Sequence, residues 1–332
     1  TANNNVAVGA FTLDATTTGG SNTGLGHAAL SSNTTAGNNT AVGFTALLAN
    51  TTGSENTAVG SLSLDANTTA TGNTAFGYSS LTANTTGDRN VAIGWSAMSV
   101  NVDGDRSVAV GYAALQNQEP ASNVDMYNTA VGYVALNANT TGILNTAVGA
   151  LALDANTTAN HNSAFGYGAL SGNTTATQNT ALGSQAMLAT TTGGNNTAVG
   201  MNSLLSNTTG TQNVAVGANT LDANTTANDN TAIGYNSLTT NTTGASNTAV
   251  GKGSLSDNST ASNNTAVGFN SLNLNTTGLQ QVAFGSEALD ANTTGNYNAA
   301  FGHGSLGSNT TADYNTAIGT YALTANTTGA EN

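Results

Sequence analysis

A 17-residue period constrains this chain more than any other feature of its sequence. A glycine recurs every 17 residues from Gly9 to Gly111; the series then shifts once by four residues, resumes at Gly132 and continues to Gly319. A fixed period of this length is typical of a solenoid, in which each unit packs only against its neighbours. The period therefore predicts a single array of about nineteen coils over residues 1–332, rather than two or three globular domains.

Each unit has the consensus N-T-A-V-G-x-x-A-L-x-x-N-T-T-G-x-x, numbered below as positions 1 to 17. Positions 2 and 4 carry mostly Thr, Val, Ile or Phe, which favour a short strand over positions 1 to 5. The invariant glycine at position 5 indicates a corner that needs positive φ or a close backbone approach. Glycine in every unit and a unit too short for two helices argue against a helical solenoid. The predicted fold is an all-β parallel β-solenoid.

Alternation along the predicted strand separates two faces. Position 3 is alanine in every unit except at Gly24, which predicts an interior with room for a methyl group only. Position 9 supplies the large core side chains, among them Leu47, Leu64 and Leu81. The apolar residues of position 4 need a second covering surface, which a partner chain would provide, and they include Val42, Val59 and Ile93. Both faces of the strand are therefore expected to be buried.

Positions 12 to 15, usually Asn-Thr-Thr-Gly or Asn-Thr-Thr-Ala, have the composition of a turn in which Asn or Gly adopts the left-handed conformation. Asparagines at positions 1 and 12 are expected to form amide ladders from coil to coil, as they do in cross-β stacks. Each Asn-Thr-Thr is also formally a glycosylation sequon. A structural turn explains the same residues, so the sequence leaves modification open.

Composition narrows the classes of partner. The chain carries 16 acidic residues against three basic ones, a net charge of −13, which disfavours binding to nucleic acid and to anionic membrane surfaces. There are no cysteines, so disulfides and thiolate metal sites are excluded. Thr1 falls inside a repeat and Asn332 begins a new one, and we expect the chain to be an excerpt of a longer protein.

The one irregular region is a four-residue insertion within 116–127, which contains the only proline, Pro120. Position 6 carries four aromatic residues in successive units around it, Tyr78, Trp95, Tyr112 and Tyr133. This row is either a platform for a glycan or an aromatic ladder that fills a groove between coils or chains. The acidic residues nearby are a candidate calcium site or a solvated acidic loop, and they are Asp103, Asp105, Glu119 and Asp125.

The remaining patterns favour no enzyme. The three histidines are many units apart, no Ser/His/Asp set can be assembled, and no phosphate-binding glycine loop is present, so no cofactor is expected. The paired threonines of positions 13 and 14 suggest ice binding as a further alternative. Neighbouring residues of an extended segment point to opposite faces, however, which argues against a flat threonine array.

The N-[TV]-A-[VI]-G strand followed by small-x-L resembles the head repeats of trimeric autotransporter adhesins of the YadA type. It is also similar to the N-T-A-[VI]-G-x-x-A-L-x-x-N-T-T-G repeats of tail-fibre-like shafts, and the resemblance covers the whole chain. It implies a left-handed coil in a parallel homotrimer, with position 4 facing the other subunits. The 17-residue period departs from the period of about fourteen residues in the adhesin heads.

These observations together predict a rigid, non-enzymatic, extracellular shaft or head of a surface adhesin or fibre, or of a virion fibre. Its expected partner is itself, as a homotrimer or filament. A glycan-binding module that uses the aromatic row and the insertion is the alternative from another class, and an ice-binding solenoid is a third.

Overall fold

The computed structural model describes residues 2–332, and it confirms the parallel β-solenoid with a 17-residue period and no helix among them. The described residues form two compact units, residues 2–164 and 165–332. Each coil contributes one three-residue strand at positions 2 to 4. The first unit contains β1 (Val6–Val8), β2 (Thr23–Leu25), β3 (Thr40–Val42), β4 (Thr57–Val59), β5 (Thr74–Phe76), β6 (Val91–Ile93), β7 (Gly104–Asp105), β8 (Val108–Val110), β9 (Val124–Asp125), β10 (Thr129–Val131) and β11 (Thr146–Val148).

The second unit follows the same plan. The unit boundary lies within β12 (Ser163–Phe165). The strands beyond it are β13 (Thr180–Leu182), β14 (Thr197–Val199), β15 (Val214–Val216), β16 (Thr231–Ile233), β17 (Thr248–Val250), β18 (Thr265–Val267), β19 (Val282–Phe284), β20 (Ala299–Phe301) and β21 (Thr316–Ile318). In both units successive strands pair in parallel, so that residue i lies beside residue i+17, as Ala41 lies beside Ala58.

Hydrogen bonds to the adjacent coils hold each coil in place. The backbone hydrogen bonds between coils extend one residue beyond each end of the strand. The N–H of Thr40 donates to the Asn56 carbonyl at 2.8 Å, and the N–H of Gly43 donates to the Leu25 carbonyl at 2.8 Å. The glycine of position 5 has φ near +135°, as in Gly94. A Cβ there would overlap the carbonyl of Gly111 in the next coil. Both reasons expected for this glycine, positive φ and close approach, are confirmed.

The interior is thin and filled. Alanine at position 3 is completely buried, as in Ala41 and Ala92, and Leu47, Leu64 and Leu81 of position 9 are completely buried as well. The outer face of the strand differs from expectation, because the described part of the chain does not fully cover it: Val42 and Val59 are half-buried and Ile93 is exposed. We call these outward side chains of positions 2 and 4 the outer strip.

The left-handed residues are not where the turn chemistry of positions 12 to 15 placed them. Apart from the glycine of position 5, positive φ occurs at positions 7, 9 and 17. Position 9 is a leucine in nearly every coil, as in Leu64 with φ 53°. The residue at position 8 is small and buried, and the leucine that follows it is buried as well. The left-handed conformation is strained for leucine, but it directs the leucine side chain into the core. Tertiary packing thus overrides the local preference of the residue.

Candidate functional site

Buried amide ladders form the repeated polar element of each unit. At position 12, Asn67 Nδ2 donates to Asn50 Oδ1 of the previous coil at 2.7 Å, and Asn50 Nδ2 donates to Asn33 Oδ1 at 3.0 Å. At position 1 the side-chain oxygen instead accepts a backbone N–H, as Asn39 Oδ1 accepts that of Asn56 at 2.9 Å. The ladders expected at both positions are confirmed, with side chain to side chain bonds at position 12 and side chain to backbone bonds at position 1.

The burial of the position 12 asparagines also decides whether the Asn-Thr-Thr sequons can carry a glycan. Asn50 and Asn67 are completely buried, and the Nδ2 atom of Asn50, which would carry a glycan, also donates to the Gly53 carbonyl at 2.9 Å. A glycan on this nitrogen would remove one donor and could not fit in the coil. In the folded chain these Asn-Thr-Thr segments are structural turns.

A further ladder, at position 16, was not predicted. Its side-chain oxygen accepts the backbone N–H of position 16 in the previous coil, as Asn160 accepts from Ile143 at 2.8 Å and Asn228 from Thr211 at 2.7 Å. The signal in the sequence is the recurrence of Asn, Asp or Ser at a position with no strict consensus. This weak recurrence is difficult to recognise without the structure.

The aromatic row of position 6 is a continuous stack in the first unit. Ring centroids are 6.2 Å apart for Tyr78 and Trp95, 4.8 Å for Trp95 and Tyr112, and 5.3 Å for Tyr112 and Tyr133, with interplanar angles of 6–16°. Each side chain is about half exposed, from 46% to 56%. Because the rings stack on each other, their faces are largely covered and their edges point to solvent. A sugar ring stacks on an exposed aromatic face, so this geometry is poorly suited to a glycan platform.

The insertion lies outside the main ladder. β8 and β10 remain paired in register, with Val108 beside Thr129, although 21 residues separate them. The extra residues form a second small parallel ladder, in which β9 pairs with β7. Asn123 extends from the insertion and donates to the carbonyl of Thr86 at 3.2 Å, while Met126 is completely buried in the interior. The insertion is therefore tied to the coils before it.

Asp103 and Asp105, two of the four acidic residues proposed for calcium, are each used within the coil stack. Asp103 accepts the Thr86 hydroxyl at 2.6 Å, and Asp105 Oδ1 accepts the backbone N–H of Asp88 at 2.7 Å. Asp105 thus belongs to the position 16 ladder. Its burial raises the pKa of this carboxyl, and the charge of Asp88 adds to that effect, while the hydrogen bond and Arg106 oppose it.

The other two carboxylates have partners elsewhere. Glu119 Oε2 accepts the N–H of Val102 at 2.9 Å, and burial raises the pKa of Glu119 as well. Asp125 forms an ion pair with Arg106 and accepts the Tyr127 hydroxyl at 2.9 Å. Among residues 2–332 no group of three or more His, Asp or Glu side chains is placed to hold a metal ion. Each of the four carboxylates thus has its own partner in the fold, and the calcium site stays a prediction.

The threonine pairs do not form two ranks of free hydroxyls. Position 13 donates its hydroxyl to the next coil, as Thr34 does to the Thr51 carbonyl at 3.1 Å and Thr51 to the Thr68 carbonyl at 3.0 Å. The exposed threonines of position 14, such as Thr52, form a single file. A flat two-rank array of the kind proposed for ice binding is not present on this face.

The outer strip and the two edges beside it are the most extensive unexplained surfaces. Position 17, which precedes each strand, carries Arg89, Arg106 and Tyr127 before β6, β8 and β10. The sequence alone does not show that Tyr127 belongs to this set, because the insertion hides its alignment with Arg106. Residues 2–332 enclose no pocket, and none of their segments is a helix long and apolar enough to cross a membrane.

Comparison with known proteins adds no relative. No protein family, curated protein or solved structure matches this chain.

Proposed function

We propose that this chain is a non-enzymatic structural module of an extracellular fibre or surface adhesin, a rigid β-solenoid that associates with copies of itself. The observation that carries the proposal is the outer strip. Every coil places an apolar side chain of position 4 on the surface while its own core is already filled, so the strip has no covering partner among residues 2–332.

The exposed fractions show how much apolar surface this leaves. Phe76 is 56% exposed, and Leu182 and Phe284 are each 49% exposed. Burying one such side chain fully is worth about 1.5–3 kcal/mol. A continuous apolar surface on a soluble protein marks an interaction site. The outer strip is such a surface, because scattered apolar residues would not recur on one face in every coil.

A second copy of the same chain is the partner that fits the strip best. The strip repeats with the coil spacing, so a parallel copy presents an apolar residue at each level where this chain does. The resemblance to adhesin heads of the YadA type suggests three copies, and it also suggests the surface location. A dimer or a bundled filament would bury the same strip.

The proposed role is mechanical. Backbone bonds between coils, two buried asparagine ladders and the position 16 ladder all run along the stacking direction of each unit. Bending a unit would stretch these bonds on one side, and leaving a buried polar group unpaired costs about 1–3 kcal/mol. Such a stack resists bending without needing many charges.

The native molar mass, measured by light scattering after gel filtration, tests the proposal. Self-association predicts a mass well above the chain mass of 32.6 kDa, and the trimer suggested by the resemblance predicts about three times that mass. It also predicts that Val42→Lys and Val59→Lys, on the outer strip, lower the mass toward that of one chain. Thr52→Lys, on an exposed turn, is the matched control and keeps the assembly. A monomeric wild-type chain contradicts the proposal.

A further inference from the structure

The only lysine of the chain lies between two aromatic rings of position 6 in the second unit. These rings belong to Tyr235 and Phe269, which are two coils apart, and Lys252 occupies position 6 of the coil between them. The Lys252 ammonium lies 5.9 Å from the centre of each ring. An ammonium within about 6 Å of a ring centre is attracted to the face of that ring. The second unit therefore contains a two-ring ammonium site that its own lysine fills.

The first unit has the same pair of rings without the lysine. Phe44 and Tyr78 lie at position 6 two coils apart, and the residue between them is Ser61. Because neighbouring coils are about 4.8 Å apart, the two rings lie at levels about 10 Å apart, as the rings around Lys252 do. Serine is too short to fill the space that the long stem of Lys252 crosses. We call the open space above Ser61 the Phe44–Tyr78 notch.

Each ring of the notch uses only one face within the described chain. Phe44 stacks on His27 of the coil before it, with 5.4 Å between ring centroids, and Tyr78 stacks on Trp95 of the coil after it, at 6.2 Å. Both stacks lie on the sides away from Ser61, so the two remaining faces turn toward the level of Ser61. Phe44 is 53% exposed and Tyr78 is 48% exposed. The face of an aromatic ring carries the negative part of its quadrupole, so both free faces attract a cation.

The surroundings of the notch favour a cation that carries alkyl groups. Residues 28–88 include all three coil levels, and they contain no Lys, Arg or His and three acidic residues, Glu55, Asp65 and Asp88. The net charge of −13 adds a long-range attraction for cations. Leu62, next to Ser61, is half-buried, so apolar surface borders the notch. Aromatic and apolar walls suit an organic ammonium better than a strongly hydrated metal ion.

We propose that the Phe44–Tyr78 notch binds an organic ammonium group supplied from outside the chain, such as the trimethylammonium group of choline or the ammonium of a lysine side chain. The bound group takes the place that Lys252 occupies between Tyr235 and Phe269. The inference does not rest on the self-association proposed above, because position 6 lies beyond the glycine corner and is not part of the outer strip.

Titration with choline, followed by proton NMR of its methyl groups, tests the notch. The ring currents of the two facing rings should move the methyl signal upfield in a saturable way. The uncharged carbon analogue of choline should show no saturable shift, because it has no charge to interact with the ring faces. Lysine blocked at its α-amino and carboxyl groups, titrated in parallel, shows whether a primary ammonium is also accepted.

Substitutions of single rings locate the binding. Phe44→Leu and Tyr78→Leu each remove one aromatic face and keep an apolar side chain, and each should weaken binding by about five-fold. Tyr112→Leu is the matched control, because this ring of the same row is stacked on both faces by Trp95 and Tyr133. It should leave the affinity for choline unchanged.

Exchanging serine and lysine at position 6 gives the sharpest test. Ser61→Lys should fill the notch from within, as Lys252 does in its own coil, and should abolish the choline shift. Lys252→Ser should open a second notch between Tyr235 and Phe269, so that the number of choline molecules bound per chain doubles. Both residues lie outside the core, so both variants should keep the fold.

The possible outcomes decide the inference. A saturable shift with either ammonium that disappears in Ser61→Lys supports it. No saturable shift with choline or with the blocked lysine overturns it, and so does an equal affinity for the uncharged analogue or a choline shift that persists in Ser61→Lys. Because ligand binding is measured rather than native mass, these results leave the proposed self-association to its own test.

Discussion

Thr190 is a natural gap in the buried ladder of position 12. It occupies the place that asparagine holds in the neighbouring coils, it is completely buried, and its hydroxyl oxygen has no hydrogen-bond partner in the described part of the chain. In the next coil the side chain of Asn207 donates to the carbonyl of Gly210, within its own coil. Thr190→Asn should therefore restore the ladder at little steric cost, because the two side chains have similar volumes.

The expected gain follows from the bonds that asparagine makes in equivalent coils. A new amide can donate to the Gly193 carbonyl and accept from Asn207, and each neutral bond contributes about 1 kcal/mol net. Thr190→Asn should therefore stabilise the second unit by about 2 kcal/mol. The reciprocal change, Asn224→Thr, removes bonds of 2.9 and 3.1 Å to Asn207 and Ala227 and should destabilise by about 2–3 kcal/mol.

Guanidinium unfolding measured alongside amide hydrogen exchange is the suitable assay, because a stacked array need not unfold as one cooperative block. Protection should rise in the coils around residue 190 of Thr190→Asn and fall in those around residue 224 of Asn224→Thr. If Thr190→Asn gave no gain and Asn224→Thr no loss, the ladder would not stabilise the fold and the reasoning would be refuted.

Four further predictions follow from other features. Gly94→Ala should destabilise the protein by about 3 kcal/mol or more in thermal unfolding, because φ is 135° and the Cβ would overlap the next coil. Gly72→Ala should cost only about 1 kcal/mol, because φ is 70° there and the Cβ is uncrowded, and equal losses would contradict this prediction. Glu55→Gly should stabilise by about 0.5–1 kcal/mol, because φ is 62° there, and Ser54→Gly should not; a loss for Glu55→Gly would count against it. The raised pKa of Asp105 means that the folded state holds the carboxyl proton more tightly than the unfolded state does. The contribution of this group to stability is therefore greatest below its ordinary pKa of 3.8 and falls as the pH rises through the raised pKa of the folded state. Asp105→Asn should raise the melting temperature at pH 7 and flatten the dependence of stability on pH, and an unchanged dependence would contradict this prediction. Titration with simple sugars should leave Trp95 emission unchanged, because the ring faces are stacked at 4.8–6.2 Å, and a saturable change would revive glycan binding.

The parts of the fold that could be predicted are those in which one residue type is imposed on every coil. Only glycine tolerates the corner of position 5, only a methyl group fits at position 3, and only a carboxamide both donates and accepts along the position 12 ladder. Each requirement leaves a column that is invariant at position 5 and nearly so at positions 3 and 12, where Gly24, Thr16 and Thr190 are exceptions. The strand positions and the core leucines follow from these columns.

The rest of the fold depends on contacts that do not impose one residue type on every coil. The left-handed conformation of Leu64 is set by packing and contradicts the residue's own preference, so no pattern indicates it. The acidic residues around the insertion are close in sequence, but Asp105 and Glu119 turn to different backbone N–H groups. Their separate partners could not be deduced from spacing, so the sequence alone suggests one acidic cluster.

The burial of the outer strip in the native assembly is the central claim, and thiol labelling tests it most directly because the chain has no cysteine of its own. Val59→Cys places a thiol on the strip, and Thr52→Cys places one on an exposed turn. If copies cover the strip, the thiol at residue 59 should react at least about ten-fold more slowly than the thiol at residue 52. Equal rates in the native protein would mean that the strip faces solvent, and the account of self-association would be wrong.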